Sequence, residues 1–451
     1  MLVSKKESPK NITIIGSGYV GLVTSVCLAT KNNYVISVDV VPEKVEKINS
    51  GVSPIFEDSL DKMLREVVSK GLLHATLNLK EAFYESDYIF IAVPTPSSSS
   101  TGKIDLTFIK QVSEELGKLF KETNEYKVVI VKSTVLPGTT VNIVGKTIER
   151  ISGKKIGKNF GLVMNPEFLR EGHAVHDFLN PDRIIIGAVD ERSFELVKEL
   201  YSWSKAPIIR TNPNSAELIK YASNSFLAMK ISFINEIANY AELVGVDVKE
   251  VAEGMGLDHR ISPYFLNAGI GFGGSCFPKD VAALLNHSEE IGRKMKLLDA
   301  TLKVNSSQPL RVIELLNNVF DKLKEIEVGI LGVAFKPGTD DMREAPSIKI
   351  VNELIKQGAK VKVHDPVALD NAKRVFPNSN LLSYHKNYED VIKGSDALIL
   401  VTEWNDYKFL DPAFIKKQMR GDIIIDGRRL WNPITFISAG LKYFGIGYGI
   451  T

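Results

Sequence analysis

The residue best placed for covalent chemistry is Cys276, within the glycine-dense segment GIGFGGSCFPKD at residues 269–280. The chain has only two cysteines, so Cys276 belongs neither to a disulfide framework nor to a multi-thiolate metal site. Glycines leave little bulk around the thiol and allow backbone amides to approach a ligand. A cationic or hydrogen-bond-donating neighbour turns such a thiol into a nucleophile. Taken alone, a buried structural cysteine in a tight turn is the alternative.

A second pair of polar residues lies four positions apart in AELIKYASN, where Lys220 and Asn224 share one face of an expected helix. An amine and an amide fixed on one helix can bind a developing oxyanion. The flanking residues are apolar, so a lysine that extends from a buried helix towards solvent is the alternative.

A dinucleotide fingerprint lies near the start of the chain, where GSGYVG follows a predicted strand and opens a predicted helix. Asp39 ends the next strand about twenty residues further on, as the fingerprint requires. Its carboxylate suits ribose hydroxyls and repels a 2′-phosphate, which favours NAD over NADP, although the nearby Lys44 weakens that preference. The alternative is a glycine turn without a ligand.

Polar segments follow several other predicted strands. NPEFLREG carries Glu167 and Glu171, and STVLPGT is another glycine-containing strand exit. AFKPGTDDMREAPS carries Lys336 and Arg343, which suit a phosphate-bearing ligand. The arginine pair after GDIIID carries the same argument. The alternative is a plain strand–helix turn for STVLPGT and an ordinary charged turn or loop for the others.

Composition limits the partners of this chain. Its 451 residues carry 56 Lys plus Arg and 54 Asp plus Glu, a net charge of +2, which gives no reason to expect nucleic acid or an anionic membrane. No apolar run approaches the ~20 residues of a membrane span, and the first ten residues are polar. Two cysteines and no export signal predict a cytoplasmic protein. His173 and His176 have no acidic or thiol cluster beside them, so we expect no metal.

The order of predicted elements indicates an α/β fold with two doubly wound, Rossmann-like parallel-sheet domains joined by a central all-helical connector. We expect a first Rossmann-like domain, which carries the dinucleotide fingerprint, at residues 1–210, a helical domain at 211–324 and a second Rossmann-like domain at 325–451. Expected strands include 11–15, 34–40, 88–93, 128–131, 161–164 and 184–187. Asn212 and Pro213 predict a helix start, and Gly245 predicts its end.

With these segments in hand, the chain resembles the nucleotide-sugar dehydrogenases of the UDP-glucose/GDP-mannose dehydrogenase family. The resemblance covers nearly the whole chain through GSGYVG, VPTP, STVLPGT, NPEFLREG, AELIKYASNSFLA, GFGGSCFPKD, FKPGTDDMRE and DGRR, in that order. Leu136 is one departure, since relatives often have proline there. The resemblance implies oxidation of the C6 alcohol of UDP-glucose to the carboxylate of UDP-glucuronate, with two NAD molecules and no metal. It also implies that the first domain binds NAD, that the central helices form a homodimer and that the third domain binds the UDP-sugar.

The resemblance implies six catalytic residues: Cys276, Lys220, Asn224, Asp280, Glu167 and Thr134. In this reading the thiol forms a thiohemiacetal and then a thioester with C6, and the lysine and asparagine stabilise the oxyanions. The aspartate positions or activates water, and the glutamate assists the proton transfers of thioester hydrolysis. The threonine holds a water molecule or the cofactor near the reacting carbon.

The resemblance also implies two sets of binding residues. Those expected to contact the cofactor are Gly16, Gly18, Tyr19, Val20, Gly21, Asp39, Lys44, Thr95, Glu171, Lys279 and Arg343. Those expected to contact the UDP-sugar are Phe168, Leu169, Arg260, Tyr264, Phe265, Gly273, Phe335, Lys336, Arg428 and Arg429. In the family, the arginine that corresponds to Arg260 is lent across the dimer interface.

Three other functions remain open at this point. One is a dehydrogenase for GDP-mannose or for a UDP-N-acetylhexosamine. Another is a two-electron 3-hydroxyacid dehydrogenase, which also places a lysine and an asparagine on a helix after a dinucleotide domain but needs neither Cys276 nor the second α/β module. The third is a dinucleotide-binding protein without catalytic activity.

Overall fold

The computed structural model describes residues 8–98 and 102–449, so most of the polar N-terminal segment lies outside the described residues. The chain divides into two units, Met1–Ser223 and Asn224–Thr451. Each unit is built around its own sheet and buries its own apolar residues.

The first unit contains an eight-stranded sheet with the order β3-β2-β1-β4-β5-β6-β7-β8. Its strands are β1 Asn11–Ile15, β2 Tyr34–Val38, β3 Leu73–Thr76, β4 Tyr88–Ile91, β5 Val128–Val131, β6 Gly161–Met164, β7 Ile184–Ala188 and β8 Ile208–Thr211. The order reverses between β1 and β4, which is where ligands bind in sheets of this kind.

One strand pair departs from the parallel arrangement that the sequence predicts. β6 and β7 are antiparallel, with Val163 opposite Ala188 and Met164 opposite Gly187. The prediction of parallel strands is wrong at this pair, because the β6–β7 connection, which contains the helix Ala174–Leu179, leads into β7 from the carboxyl edge of β6 and does not cross back to the amino edge. The other pairs of this sheet are parallel.

Helices cover both faces of the first sheet. They are α1 Tyr19–Ala29, α2 Pro42–Asn49, α3 Leu60–Ser69, α4 Leu79–Glu85, α5 Thr107–Glu122, α6 Lys146–Ser152, α7 Ala174–Leu179 and α8 Glu191–Glu199, with a π-helix at Thr140–Gly145. Alternate residues of β5 show the two faces: Val128 and Ile130 belong to one buried cluster, and Val129 and Val131 belong to the other. A strand buried on both faces is typical of a doubly wound fold.

The long helix α9, Pro213–Leu243, begins in the first unit and continues into the second. Asn212 caps its start, since Asn212 Oδ1 accepts a hydrogen bond from the Ser215 amide at 2.9 Å. Gly245 follows its end with φ of 73°. Both predicted boundary signals are confirmed.

The second unit contains a six-stranded, fully parallel sheet with the order β11-β10-β9-β12-β13-β14. Its strands are β9 Glu327–Leu331, β10 Lys360–His364, β11 Leu382–Tyr384, β12 Ala397–Leu400, β13 Ile423–Asp426 and β14 Lys442–Gly445. This order is that of the Rossmann fold. The sequence therefore predicted both modules correctly, although it missed the short edge strands β3, β8, β11 and β14.

The helices of the second unit divide into a central group and a group around the sheet. The central group is α10 Val248–Gly256, α11 Phe277–Glu290, α12 Lys296–Ser307, a 3-10 turn Gln308–Leu310 and α13 Arg311–Asn317. The later group is α14 Pro346–Lys356, α15 Leu369–Val375, α16 Tyr388–Ile392, α17 Asn405–Lys408, α18 Pro412–Gln418 and α19 Pro433–Ser438. Ile234 of α9 and Val312 of α13 share one buried cluster with Ile330 of β9. The exact boundaries at residues 210 and 324 stay predictions.

Candidate active site

The glycine turn after β1 has the form that a dinucleotide needs. Gly16 has φ of 102°, and a Cβ there would lie 2.7 Å from the carbonyl oxygen of Ala92. A Cβ on Gly21 would lie 1.8 Å from the carbonyl oxygen of Gly16, whereas a Cβ on Gly18 would meet no protein atom within 4 Å. Packing within the chain therefore explains the first and third glycines. The middle one leaves room beside the N-terminus of α1 for a phosphate to approach the backbone.

Asp39 lies beside this turn, one residue after β2, and is 8% exposed. Its Oδ2 accepts a hydrogen bond from the Ser17 amide at 2.8 Å, and its Oδ1 accepts one from the Val41 amide at 3.0 Å. Lys44 Nζ lies 3.6 Å from Oδ2. Each carboxylate oxygen keeps a further lone pair for a ribose hydroxyl. The turn and the carboxylate thus fit NAD by shape and by donor chemistry.

Two further predicted cofactor residues belong to α1. Tyr19 begins the helix, and its hydroxyl accepts a hydrogen bond from the Gly172 amide at 2.8 Å. Val20 follows and is half-buried. Glu57, which the sequence analysis missed, accepts hydrogen bonds from the amides of Gly172 and Ala174, both at 2.7 Å. The loop after β6 is thereby tied to the nucleotide turn.

Glu167 and Lys220 form a buried ion pair in the first unit, with Lys220 Nζ 2.9 Å from Glu167 Oε1. They are 6% and 2% exposed. The Leu169 amide donates to Glu167 Oε2 at 2.5 Å. Burial by itself raises the pKa of Glu167, but the charge of Lys220 and these hydrogen bonds outweigh it, so the pKa lies below its usual value. The side chain is a carboxylate at neutral pH, held against an amine.

The aromatic ring of Phe168 supports this pair. Lys220 Nζ lies 5.4 Å from the ring centroid, and the guanidinium carbon of Arg183 lies 3.7 Å from it. Leu169 and Glu171 follow on the same loop and are half-buried. Four residues of NPEFLREG therefore lie at the carboxyl end of β6, where ligands meet sheets of this type.

Thr95 and Thr134 connect the loops after β4 and β5. The Thr95 hydroxyl donates to the Thr134 carbonyl at 2.8 Å. Glu217 of α9, which the sequence analysis also missed, is fully buried and accepts hydrogen bonds from the amides of Gly138 at 2.6 Å and Thr140 at 2.7 Å. Its position three residues before Lys220, in an apolar helical run, was the available signal. Glu217 fixes the threonine loop to the helix that carries the lysine.

In the second unit, Cys276 occupies the N-cap position of α11 and is partly exposed. Its Sγ lies 3.5 Å from Ser275 Oγ. The Asp280 amide donates to the Cys276 carbonyl at 2.8 Å, which closes the first turn of the helix. The thiol therefore belongs to the residue at the positive end of the helix dipole, which favours negative charge on the sulfur.

Asp280 is 1% exposed and holds two partners. Its Oδ2 accepts from Asn224 Nδ2 at 2.6 Å, and its Oδ1 accepts from Lys279 Nζ at 2.6 Å. The structure thus joins three of the sequence-predicted site residues, Asn224, Lys279 and Asp280, in one network centred on the buried aspartate, one helical turn from Cys276.

The glycines before Cys276 are required by close packing. Gly274 has φ of 83°, its amide donates to the Arg343 carbonyl at 2.8 Å, and a Cβ there would lie 2.7 Å from the Phe335 ring. A Cβ on Gly273 would lie 2.4 Å from the Glu344 carbonyl oxygen. The thiol-bearing turn is therefore packed directly against the loop after β9. Arg428 adds to it, because Nη1 donates to the Gly271 carbonyl at 3.0 Å.

Other predicted ligand residues are engaged elsewhere in this structure. Arg429 is buried with φ of 54° and donates from two guanidinium nitrogens to the Asp247 carboxylate, both at 2.8 Å. The exposed side chains of Arg343 and Arg260 bind Asp341 and Asp258 respectively.

Three more of these residues lie near aromatic rings or solvent. Tyr264 is 75% exposed, and the Phe265 ring lies 6.0 Å from that of Phe277. Lys336 Nζ lies 5.4 Å from the Phe335 ring. The ligand roles of these three side chains, and those of Arg260, Arg343 and Arg429, stay predictions.

Neither a metal centre nor a membrane span is found in residues 8–98 and 102–449. No three His, Cys, Asp or Glu side chains in this part of the chain could hold a metal ion. No helix there is both long and apolar enough to cross a bilayer.

Family models match the chain in three consecutive stretches. Residues 10–205 match the NAD binding domain, residues 214–307 the central domain, and residues 329–433 the UDP binding domain of the UDP-glucose/GDP-mannose dehydrogenase family. The chain belongs to this family. It is an NAD-dependent dehydrogenase, as the family resemblance implied, and the cofactor is the one that the fingerprint and Asp39 predicted.

Individual relatives agree with this assignment. UDP-glucose 6-dehydrogenase TuaD of Bacillus subtilis (strain 168) is 41% identical over 440 residues, which cover 97% of this chain and 93% of that protein. A UDP-glucose dehydrogenase structure from Pyrobaculum islandicum has a TM-score of 0.92 at 37% identity and covers 99% of this chain and 100% of that one. A UDP-D-ManNAc dehydrogenase structure from Pyrococcus horikoshii has a TM-score of 0.86 at 30% identity, covering 98% and 100%.

Proposed function

We propose that this dehydrogenase carries out the four-electron oxidation of UDP-glucose to UDP-glucuronate through a covalent adduct on Cys276. The observation that carries the proposal is Cys276 at the N-terminus of α11, one turn before an Asp280 carboxylate that Asn224 and Lys279 hold. A two-electron dehydrogenase has no use for a thiol supported in this way. A four-electron enzyme needs one, because an aldehyde carbon must be rebuilt into a donor before its second oxidation.

The proposed reaction has three stages. In the first, the C6 alcohol becomes an aldehyde, and its hydroxyl proton passes to water held by Asp280. In the second, the Cys276 thiolate forms a bond to C6, and oxidation of the resulting oxyanionic adduct gives a thioester. In the third, water adds to the thioester carbon and loses a proton to Glu167. The carbon–sulfur bond then breaks, which restores the thiolate and releases the carboxylic acid, and the acid loses its proton to solvent to give the carboxylate. NAD, when bound, accepts the two hydrides that C6 loses, one in each oxidation.

The remaining roles follow from side-chain chemistry. Lys220 and Asn224 supply an ammonium and an amide for the oxyanions of the second and third stages. Thr134 holds a water molecule or the cofactor near C6. Asp39 binds the adenosine ribose of NAD, and the backbone beside Gly18 approaches the pyrophosphate.

The proposed sugar nucleotide is UDP-glucose. The match to the UDP binding domain supports the base, and the UDP-glucose dehydrogenase relatives support the sugar. Phe335 and Arg428 pack against the glycine turn that precedes Cys276, which supports their role at the sugar nucleotide. The same fold also accommodates a UDP-D-ManNAc dehydrogenase, so UDP-N-acetylmannosamine is the second candidate substrate.

Purified protein with NAD and each nucleotide sugar in turn tests this proposal. We expect UDP-glucose to give two NADH per sugar consumed. Reduction of NAD only with UDP-N-acetylmannosamine or GDP-mannose would overturn the substrate. A ratio of one NADH per sugar would instead support a two-electron dehydrogenase and remove the thioester.

We also propose that the protein is a homodimer through α9. Three large aromatic side chains, Phe226, Phe233 and Tyr240, recur every seven residues on this helix and are 58%, 46% and 64% exposed. A stripe of this kind on a long helix suits a second copy of itself. By the family resemblance, the partner would supply Arg260. Because the chemistry needs a free thiolate, we place it in the reducing cytoplasm.

Light scattering with Phe233→Glu tests the dimer. We expect this variant to be a monomer with little activity at micromolar concentration. Phe409→Glu is the matched control, because Phe409 is 83% exposed in the same unit but lies away from α9 in sequence. A wild-type monomer, or equal loss in both variants, would contradict the interface.

A further inference from the structure

We propose that Lys132 is a positioning residue that keeps the Glu167 carboxylate in place for hydrolysis of the thioester. The inference rests on the proposed function, since it deepens the role given to Glu167. Lys132 is the residue directly after β5, immediately before the predicted STVLPGT site segment, and the sequence analysis assigned it no role.

The contacts of Lys132 lead to the loop that carries Glu167. Lys132 is 5% exposed, and its Nζ donates to Asn165 Oδ1 at 2.9 Å and to the Tyr201 hydroxyl at 3.4 Å. The Tyr201 hydroxyl donates to the same Oδ1 at 2.6 Å. Asn165 Nδ2 in turn donates to the Ile185 carbonyl at 2.8 Å. Asn165 is thus held from both ends of its amide, two residues before Glu167.

The buried surroundings of Lys132 disfavour a positive charge on its amine. Its Nζ lies 6.0 Å and 5.9 Å from the ring centroids of Phe178 and Tyr201. Burial lowers the pKa of Lys132 to about 8, the Glu167 carboxylate opposes this fall, and the Lys220 charge adds to it. The titratable groups that face Lys132 are therefore Glu167, Lys220 and the Tyr201 phenol. An apolar side chain would fill this position without a desolvation penalty, and such violations concentrate at functional sites.

The two lysines have different tasks in this arrangement. Lys220 contacts Glu167 directly and is also the proposed donor to the oxyanion, so its ammonium is shared during the reaction. Lys132 binds the loop through Asn165 and keeps a second positive charge near Glu167 when Lys220 turns to the substrate. Loss of Lys132 should therefore impair the step that depends on Glu167 and leave the two oxidations intact.

Lys127 provides a matched control at the opposite end of the same strand. It precedes β5, is 1% exposed, and its Nζ donates to the Ser86 carbonyl at 2.8 Å and lies 3.0 Å from Glu125 Oε2. Lys127→Met and Lys132→Met each remove one buried ammonium beside β5. Only Lys132 lies at the carboxyl end of the strand, with Asn165 and Glu167.

Rapid mixing of the full-length enzyme with UDP-glucose and NAD, followed by acid quenching and intact-mass measurement, tests the inference. For Lys132→Met we expect a burst of two NADH per active site, a steady-state rate at least about tenfold lower and a mass increase from the trapped thioester. Lys127→Met should show no burst and no adduct. Equal slowing of the first NADH and of turnover in Lys132→Met, or the same burst in Lys127→Met, would overturn the proposal.

Tyr201→Phe keeps the inference testable if Lys132→Met does not fold. This variant removes only the phenol that binds both Lys132 and Asn165, and it should slow thioester hydrolysis by about threefold while both oxidations keep their rates. Unchanged hydrolysis would contradict the positioning role. Failure of the proposed function is distinguishable: if Cys276→Ala still yields two NADH per sugar, the thioester itself is wrong.

Discussion

The amide of Asn224 donates a 2.6 Å hydrogen bond to Oδ2 of Asp280, while Lys279 binds the other carboxylate oxygen at the same distance. An asparagine amide has two N–H groups, so one orients the side chain against Asp280 and the other is left for an oxyanion. Asp280 therefore has two effects in our proposal: it holds water itself, and it fixes the direction of the oxyanion donor.

Replacement of Asp280 tests both effects. Asp280→Asn keeps the shape of the side chain but removes its charge, so we expect kcat to fall by about 10² while the KM for NAD changes little. Steady-state kinetics measures kcat and the KM for NAD, and circular dichroism shows whether the variant is folded. Asp299→Asn is the control, because Asp299 also has two side-chain partners, Lys294 and Lys303, but lies on α12 outside the proposed site. A comparable loss of kcat in both variants would contradict the assignment.

The two cysteines should differ sharply in reactivity. Burial raises the pKa of the Cys27 thiol to about 12, whereas Cys276 is partly exposed at a helix N-terminus. Iodoacetamide at pH 8 should therefore add one label per chain, on Cys276, and UDP-glucose should slow it. Peptide mapping by mass spectrometry locates the label. The Cys276→Ala chain should stay unlabelled, and labelling of Cys27 at a similar rate in the wild type would contradict the prediction.

Alanine substitutions at two of the fingerprint glycines should affect cofactor binding and folding separately. A Cβ on Gly18 meets no protein atom within 4 Å, so Gly18→Ala should keep its melting temperature while the KM for NAD rises by about tenfold. A Cβ on Gly21 would lie 1.8 Å from a carbonyl oxygen, so Gly21→Ala should lower the melting temperature by several degrees. Thermal melts and NAD titrations measure the two effects. A normal KM in Gly18→Ala would show that the turn does not approach the cofactor.

The buried Lys132 should make stability depend on pH in a defined direction. Its pKa is about 8 in the folded chain against 10.5 for an unperturbed lysine, so between these values the unfolded chain binds more protons than the folded one. Stability contributed by this group therefore rises with pH across that window. The free energy of unfolding of the wild type, minus that of Lys132→Met, should increase from pH 8 to 10 in urea titrations. A flat or falling difference would contradict the burial of a titrating lysine.

Local sequence patterns predicted much of the fold of this protein, because each pattern depends only on residues that are close together in the chain. The fingerprint glycines, the cap at Asn212 and the apolar strands of both sheets were predicted from spacing alone. The antiparallel β7 was not, since a buried apolar strand has the same residue pattern whichever way it runs, and its direction is decided by where the preceding connection places its start. Short edge strands were missed because three or four residues give little periodic signal.

The sequence by itself determined which residue types are present to react: a thiol in a glycine turn, a lysine and an asparagine one helical turn apart, and carboxylates after strands. Only the tertiary structure decided how these groups are paired. Glu167 with Lys220, Asp280 with Asn224 and Lys132 with Asn165 join residues that are 33 to 56 positions apart in the chain. The physical reason is that such pairing depends on burial and on the distance between elements. Both arise only when the sheets and helices pack together, and no short window of sequence contains them.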